Sequence, residues 1–230
     1  MRVAALCDVH GNLPALEAVL AELRSLDVDR IVCGGDVVAG PYPQDCLDRL
    51  RGVEAVFVRG NADRYLVEMH DGTRVAEGGL IDEWVVTQLE PQHVEFLRSF
   101  EPTISLDGVL YCHATPQGDE PIFTERSPDE RVRELLGDVE ERTVVVGHTH
   151  MQFDRVVDGI RVLNAGSVGL PYGTANACWA LVVDGEPQLR ETPYPREAVS
   201  LSPYAKLEPF LTETPREEAI AFFESQAAAG

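Results

Sequence analysis

At 230 residues the chain is long enough to bury one substantial core, and its 44% hydrophobic content is that of an ordinary globular protein. It carries 39 acidic against 19 basic residues, a formal net charge of -20, so it lacks the basic footprint of a nucleic-acid binder and favours small substrates over long DNA or RNA. No segment approaches the roughly 20 apolar residues that cross a bilayer, and the five cysteines, Cys7, Cys33, Cys46, Cys112 and Cys178, form no Cys-x-x-Cys pair, which suits reduced thiols in a cytoplasmic protein.

The first apolar run, residues 3–7, reads as a buried parallel strand and stops at Asp8, too soon for a signal peptide. Residues 14–26 follow with Leu16, Val19, Leu20 and Leu23 at helical spacing and Pro14 near the first turn. Strand 31–33, helix 43–50 and strand 53–58 repeat the βαβ rhythm of a parallel sheet. Between residues 64 and 100 the pattern changes. Ile81, Trp84, Val85 and Leu89, then Val94 and Leu97, predict two helices broken at Pro91, a helical insertion. Strands at 109–112 and 143–146 come next. After His150 the chain turns to hairpins, 153–157 with 160–163 around Asp158-Gly159, and 177–183 with 188–190 around Asp184-Gly185 and Glu186-Pro187. A second sheet is implied. From about residue 193 the sequence is rich in Pro, Ser and Thr, with a helix predicted near 215–226.

Each strand run on the way to His150 ends in a polar motif: Asp8-Val9-His10, Gly35-Asp36, Gly60-Asn61, His113, and Gly147-His148-Thr149-His150. Loops at the carboxyl ends of strands in an open α/β sheet converge on one crevice. Asp8, His10, Asp36, Asn61, His113, His148 and His150 therefore form an inventory of oxygen and nitrogen metal ligands with no thiolate. Such ligands suit Mn²⁺, Fe, Zn²⁺ or Ni²⁺ and argue against a structural zinc or an iron–sulfur cluster. Cys7 and Cys112, next to ligands on alternating strands, should aim into the core. His70 and His93 are expected to be ordinary helix residues. Asn12 either contacts a substrate phosphate or caps the helix that follows, and Asp63 either orients a ligand or substrate from behind or is a helix N-terminal carboxylate.

The ordered motifs resemble the calcineurin-like metallophosphoesterase superfamily over residues 1 to about 171, and Asn164-Ala165-Gly166-Ser167 resembles the Asn-Pro-Gly-Ser turn of its small prokaryotic phosphodiesterase branch. The resemblance implies an α/β fold, a four-layer α-β-β-α sandwich. The domain would span residues 1–195, with the helical insertion at about 64–100 and a C-terminal extension at 196–230. It also implies two divalent ions, Mn²⁺ foremost, one held by Asp8, His10, Asp36 and His150, the other by Asp36, Asn61, His113 and His148. Asp36, Asn61 and His113 would be catalytic, and a hydroxide activated by the ions would attack phosphorus. Many members carry Gly-Asn-His-Asp/Glu, whose His is thought to assist the leaving group; here Ala62 stands in its place. Val37-Val38 after Asp36 likewise lacks the Asp-Arg continuation of protein phosphatases. The expectation is a phosphoesterase for small phosphodiesters or nucleotides. The alternatives are dinucleoside polyphosphate hydrolysis, whose leaving groups need no strong acid, and a non-catalytic scaffold, a role this fold also serves in the retromer coat.

Overall fold

Short, continuously apolar runs pair as strands in a computed structural model, which describes residues 1–75 and 80–229. β1 (Arg2–Leu6), β2 (Arg30–Cys33) and β3 (Ala55–Phe57) run parallel, linked by α1 (Leu13–Leu23) and α2 (Pro43–Arg51). Both helices carry proline in the first turn, where a missing N–H is no loss. α1 buries Leu16, Val19, Leu20 and Leu23, the stripe read from the sequence, in one cluster with Ala4 and Leu6 of β1.

α3 (Asn61–His70), α4 (Leu80–Gln88) and α5 (Pro91–Arg98) follow. The expected break at Pro91 separates the last two, while residues 76–79 of the expected insertion lie outside the described residues. α3 was not marked by an apolar stripe, because it fully buries only Asp63 and Leu66. His70 is exposed at its end, and His93 is buried on α5 with its ring accepting from the Glu90 N–H.

The second sheet takes β4 (Thr103–Leu106) and β5 (Val109–Cys112), then, across α6 (Asp129–Leu136), β6 (Thr143–Val146), β7 (Phe153–Val157) and β8 (Ile160–Asn164), in the order β4-β5-β6-β8-β7. β9 (Ala177–Val183) and β10 (Glu186–Thr192) return to the first sheet, whose order is β10-β9-β1-β2-β3. The two hairpins thus divide between the sheets. The physical reason is visible in β9, which is apolar along its whole length and so suits a position between β1 and β10, with the sheet buried on both faces. Glu186-Pro187, expected in the turn, opens β10 instead. Pro187 is tolerated there because β10 is an edge strand.

Alternation builds the layers. Val3, Ala5 and Cys7 point between the sheets to meet Val109, Tyr111, Val145 and Leu163, whereas Leu110, Cys112, Val144 and Val146 face outward with Val132 and Leu136 of α6. The result is the α-β-β-α sandwich, with all five cysteines buried and free. A short 3₁₀ turn (Arg196–Leu201), α7 (Glu208–Leu211) and α8 (Arg216–Ala229) complete the chain, the last close to the predicted helix. This C-terminal part is tied down: Tyr42 Oη donates to the Ala198 and Val199 carbonyls, and Ser202 Oγ donates to Pro41 O. No helix among the described residues is long and apolar enough to cross a membrane.

Candidate metal centre

Because β1, β2, β3, β5 and β6 each end in a candidate ligand, the fold delivers all of these residues to one edge of the sandwich. The loops turn abruptly there. Asp8, His10, Asp36, His148 and His150 all have positive φ, from 46° at His10 to 68° at His148. For histidine this is a costly conformation, of the kind that clusters at functional sites. The glycines in the motifs answer to packing. A Cβ on Gly60 would stand 2.1 Å from Asp36 Oδ1, and one on Gly147 would stand 2.4 Å from Asp8 Oδ2.

Backbone carbonyls fix the imidazole tautomers. Nδ1 of His10, His113 and His150 lies 3.0, 2.9 and 2.8 Å from the carbonyls of Ala39, Gly34 and Leu170. A carbonyl only accepts, so Nδ1 holds the proton and Nε2 of each neutral ring offers a lone pair. Nε2 of His10 and Nε2 of His150 meet at 3.0 Å. Burial and then the neighbouring His150 lower the His10 pKa, which favours the neutral ring and leaves its Nε2 lone pair available to a cation. Nε2 of His113 stands 3.0 Å from Asn61 Oδ1.

Each carboxylate uses one oxygen for structure and turns the other to this cluster. Asp8 Oδ2 accepts from the His148 N–H at 2.9 Å; its Oδ1 is buried without a hydrogen-bond partner among the described residues, 3.4 Å from His150 Nε2 and 4.0 Å from His10 Nε2. Asp36 Oδ1 accepts from the Ala62 N–H at 2.8 Å, while Oδ2 lies 3.5 Å from His113 Nε2 and 3.8 Å from His10 Nε2. Donors that bind one ion at about 2.0–2.2 Å stand about 3–4 Å apart, so these spacings fit divalent cations. Two overlapping triplets result, Asp8 with His10 and His150, and Asp8 with Asp36 and His113, each with donor atoms within 4.8 Å. His148 belongs to neither among the described residues. Its Nε2 faces Glu120 O at 3.1 Å, which leaves Nδ1 on a ring 5.0 Å from that of His113.

Burial would raise the Asp8 pKa, yet His150, His113 and His10 hold it down to about 2. Burial and then the His113 charge push His148 down to about 4. At His113 burial pulls downward, but Asp36 and Asp8 outweigh it and the net direction is up. Asp63 is pushed up to about 7 by burial and then by Asp36, against the pull of its backbone donors.

Asp63 is fully buried and accepts from three amides, Asp36 N at 2.7 Å, Val37 N at 2.9 Å and Gly60 N at 3.2 Å, so it is both the first-turn carboxylate of α3 and the clamp on the Asp36 loop. Of the two roles open to Asn12, the structure fills the capping one. Its Oδ1 accepts from Ala15 N, its Nδ2 donates to Gly169 O and Tyr194 Oη, and no surface is left for a substrate phosphate. The turn from Asn164 to Ser167 braces two ligand loops: Asn164 Nδ2 donates to Gly147 O at 2.6 Å, and Ser167 Oγ donates to Asp8 O at 2.7 Å.

A crevice of about 780 Å³ opens beside His10, Asp36 and Asn61. Sequence reasoning missed its walls. Ile81 has the spacing of a core residue, and no local signal brings Tyr204 or Phe210 to a site whose ligands lie far earlier in the chain.

The profile of the calcineurin-like phosphoesterase superfamily domain matches residues 1–185. Protein MJ0912 of Methanocaldococcus jannaschii is 29% identical over 176 residues, which cover 73% of this chain and 70% of that protein. The structure is similar to that of a metallophosphoesterase from Sphaerobacter thermophilus, with a TM-score of 0.74 and 24% identity over 87% of this chain and 92% of the other. It is also similar to protein PH1004 of Pyrococcus horikoshii OT3, with a TM-score of 0.77 and 20% identity over 96% and 97% of the two chains. At these identities the solved structures speak to the fold alone. The domain match spans every strand that carries a candidate ligand, and the chain belongs to the calcineurin-like phosphoesterase superfamily, a family of metal-dependent phosphoesterases.

Proposed function

We propose that the protein hydrolyses small phosphodiesters or nucleotides using two divalent ions, Mn²⁺ foremost, in the cytoplasm. Asp8, His10, Asp36 and His150 would hold one ion, and Asp36, Asn61, His113 and His148 the other. The observation that carries this reading is the 3.0 Å approach of His10 Nε2 and His150 Nε2 beside Asp8 Oδ1, which has no hydrogen-bond partner among the described residues. Ions bound there would supply Lewis acidity toward phosphoryl oxygen and a water nucleophile at neutral pH.

The chain's own part is positioning. Asp36 Oδ2 lies 3.8 Å from His10 Nε2 and 3.5 Å from His113 Nε2, within reach of both groups of ligands, so Asp36 would help to hold both ions. Asn61 adds a neutral carbonyl oxygen, which limits negative charge facing an anionic substrate. Ala62 offers no proton donor, so the leaving group departs largely unaided and good leaving groups are favoured. Five free, buried thiols support a reducing compartment.

The test strips the protein and reloads it with Mn²⁺, Zn²⁺, Ni²⁺ or Fe²⁺, then assays aryl phosphodiesters, cyclic nucleotides, nucleotides and dinucleoside polyphosphates. Metal-dependent turnover of aryl phosphodiesters is expected. Two bound ions with no turnover of any member of the panel would favour the scaffold alternative.

A further inference from the structure

The crevice beside His10, Asp36 and Asn61 is far larger than a phosphoryl group needs. Its volume of about 780 Å³ falls in the range of roughly 300–1,000 Å³ that holds whole small molecules. One wall comes from Tyr65 of α3 with Ile81 and Asp82 of α4. Another part of the lining is the segment 204–210, outside the stretch matched to the family domain. The two walls are braced against each other and against the Asp36 side of the site. Trp84 of α4 packs on Tyr204 with ring centroids 5.0 Å apart, the Tyr204 N–H donates to Ser202 Oγ, and Ser202 Oγ donates to Pro41 O.

We infer that this part of the crevice is a subsite for the organic group of the ester, and that the group is a nucleoside. The inference rests on the phosphoesterase reading of the adjoining ion site and names its substrate class. Leu207, Pro209 and Phe210 of the 204–210 segment and Ile81 of α4 offer apolar cover, and Tyr204 adds a ring against which a base can pack, while the Tyr65 ring is already covered by the Arg74 and Arg64 guanidinium groups. An alkyl chain would fit that cover but would strip water from the part-buried Asp82 carboxylate without replacing its hydrogen bonds. A simple sugar phosphate would satisfy that carboxylate and leave the apolar walls uncovered. A nucleoside does both, because its base is flat and apolar on its faces while its amino and hydroxyl groups donate.

Calorimetric titration of the metal-loaded protein with methyl phosphate, adenosine 5′-monophosphate and adenosine tests this, with Trp84 fluorescence as a second readout. Stacking and burial of a base are worth about a factor of ten or more in affinity, so the nucleotide should bind at least about tenfold more tightly than methyl phosphate. In Tyr204→Ala and in Leu207→Asp that ratio should fall to within about twofold, with ion content checked by elemental analysis. Leu207 is only half-buried, which keeps the second variant informative if the first misfolds. Equal affinities in the wild type, or a ratio retained in both variants, would overturn the subsite. If neither phosphate compound binds, the ion-site reading fails separately, and adenosine then decides the subsite. Binding to the wild type that both variants lose would uphold it, and no binding would overturn it.

Discussion

Asp63 shows how much of the proposed ion site depends on a residue that touches no ion. Its two oxygens satisfy the buried N–H groups of Asp36, Val37 and Gly60, so they fix the loop that aims Asp36. Asp63→Ala would orphan these donors, each at about 1–3 kcal/mol. We expect a loss of about 2–4 kcal/mol in urea denaturation and ion affinity weaker by about 10–100-fold. Unchanged affinity in a folded variant would mean that Asp36 holds its place without the clamp. His148 carries a pH prediction for the ion-free protein. Its pKa is lower in the folded state, about 4 against 6.5, so below pH 6.5 the unfolded chain takes up the proton first. Stability from this residue is therefore present above pH 6.5 and lost as pH falls toward 4, by about 1–3 kcal/mol. His10 acts in the same direction, whereas His113 and Asp63, whose carboxyl is pushed up to about 7, oppose it. The prediction is therefore one of difference: between about pH 6.5 and 4 the denaturation midpoint of chelated His148→Ala should fall less, or rise more, than that of the chelated wild type. An identical slope in the variant would mean that His148 does not couple folding to pH.

At the scale of elements, the site was legible because parallel strands announce themselves as bare apolar runs. β1, β2, β3, β5 and β6 each end in a motif that the sequence displays, and their shared direction brings the motifs together. What was not legible depends on partners distant in sequence. β9 enters the first sheet because β1 needs a neighbour, and the chain after Asn164 gives no hint of which sheet it will join. The role of Asn12 was open for the same reason: Gly169 and Tyr194, which occupy its amide, lie more than a hundred residues away. The segment 204–210 reads as a Pro-rich extension, and tertiary contacts such as Trp84 with Tyr204 make it a wall. The turn at Asn164 joins two levels. Its side chain donates to Gly147 O and Thr149 Oγ1 and accepts from Gly166 N, all buried. Asn164→Ala should cost about 2–4 kcal/mol and loosen the loop carrying His148 and His150. Thermal unfolding and ion titration check it, and a neutral substitution would mean that the loop is held by its strands alone.

For the whole molecule, a net charge of -20 combines with carboxylates buried at the site. Ions that bind the folded chain and not the unfolded one stabilise it by mass action, by about 2.7 kcal/mol at a hundredfold excess over Kd. Chelation should therefore lower the melting temperature, and readdition of Mn²⁺ should restore it in a concentration-dependent way. A melting temperature indifferent to chelator would mean that no ion is coupled to folding.

In the proposed centre Asp36 joins two ion sites, its Oδ2 lying 3.8 Å from His10 Nε2 and 3.5 Å from His113 Nε2. Elemental analysis of the purified wild type and of Asp36→Ala, each checked for folding by circular dichroism, tests this. Two ions per wild-type chain and loss of both in the variant are expected. Two ions retained by a folded Asp36→Ala protein, or none taken up by the wild type at any loading, would contradict it.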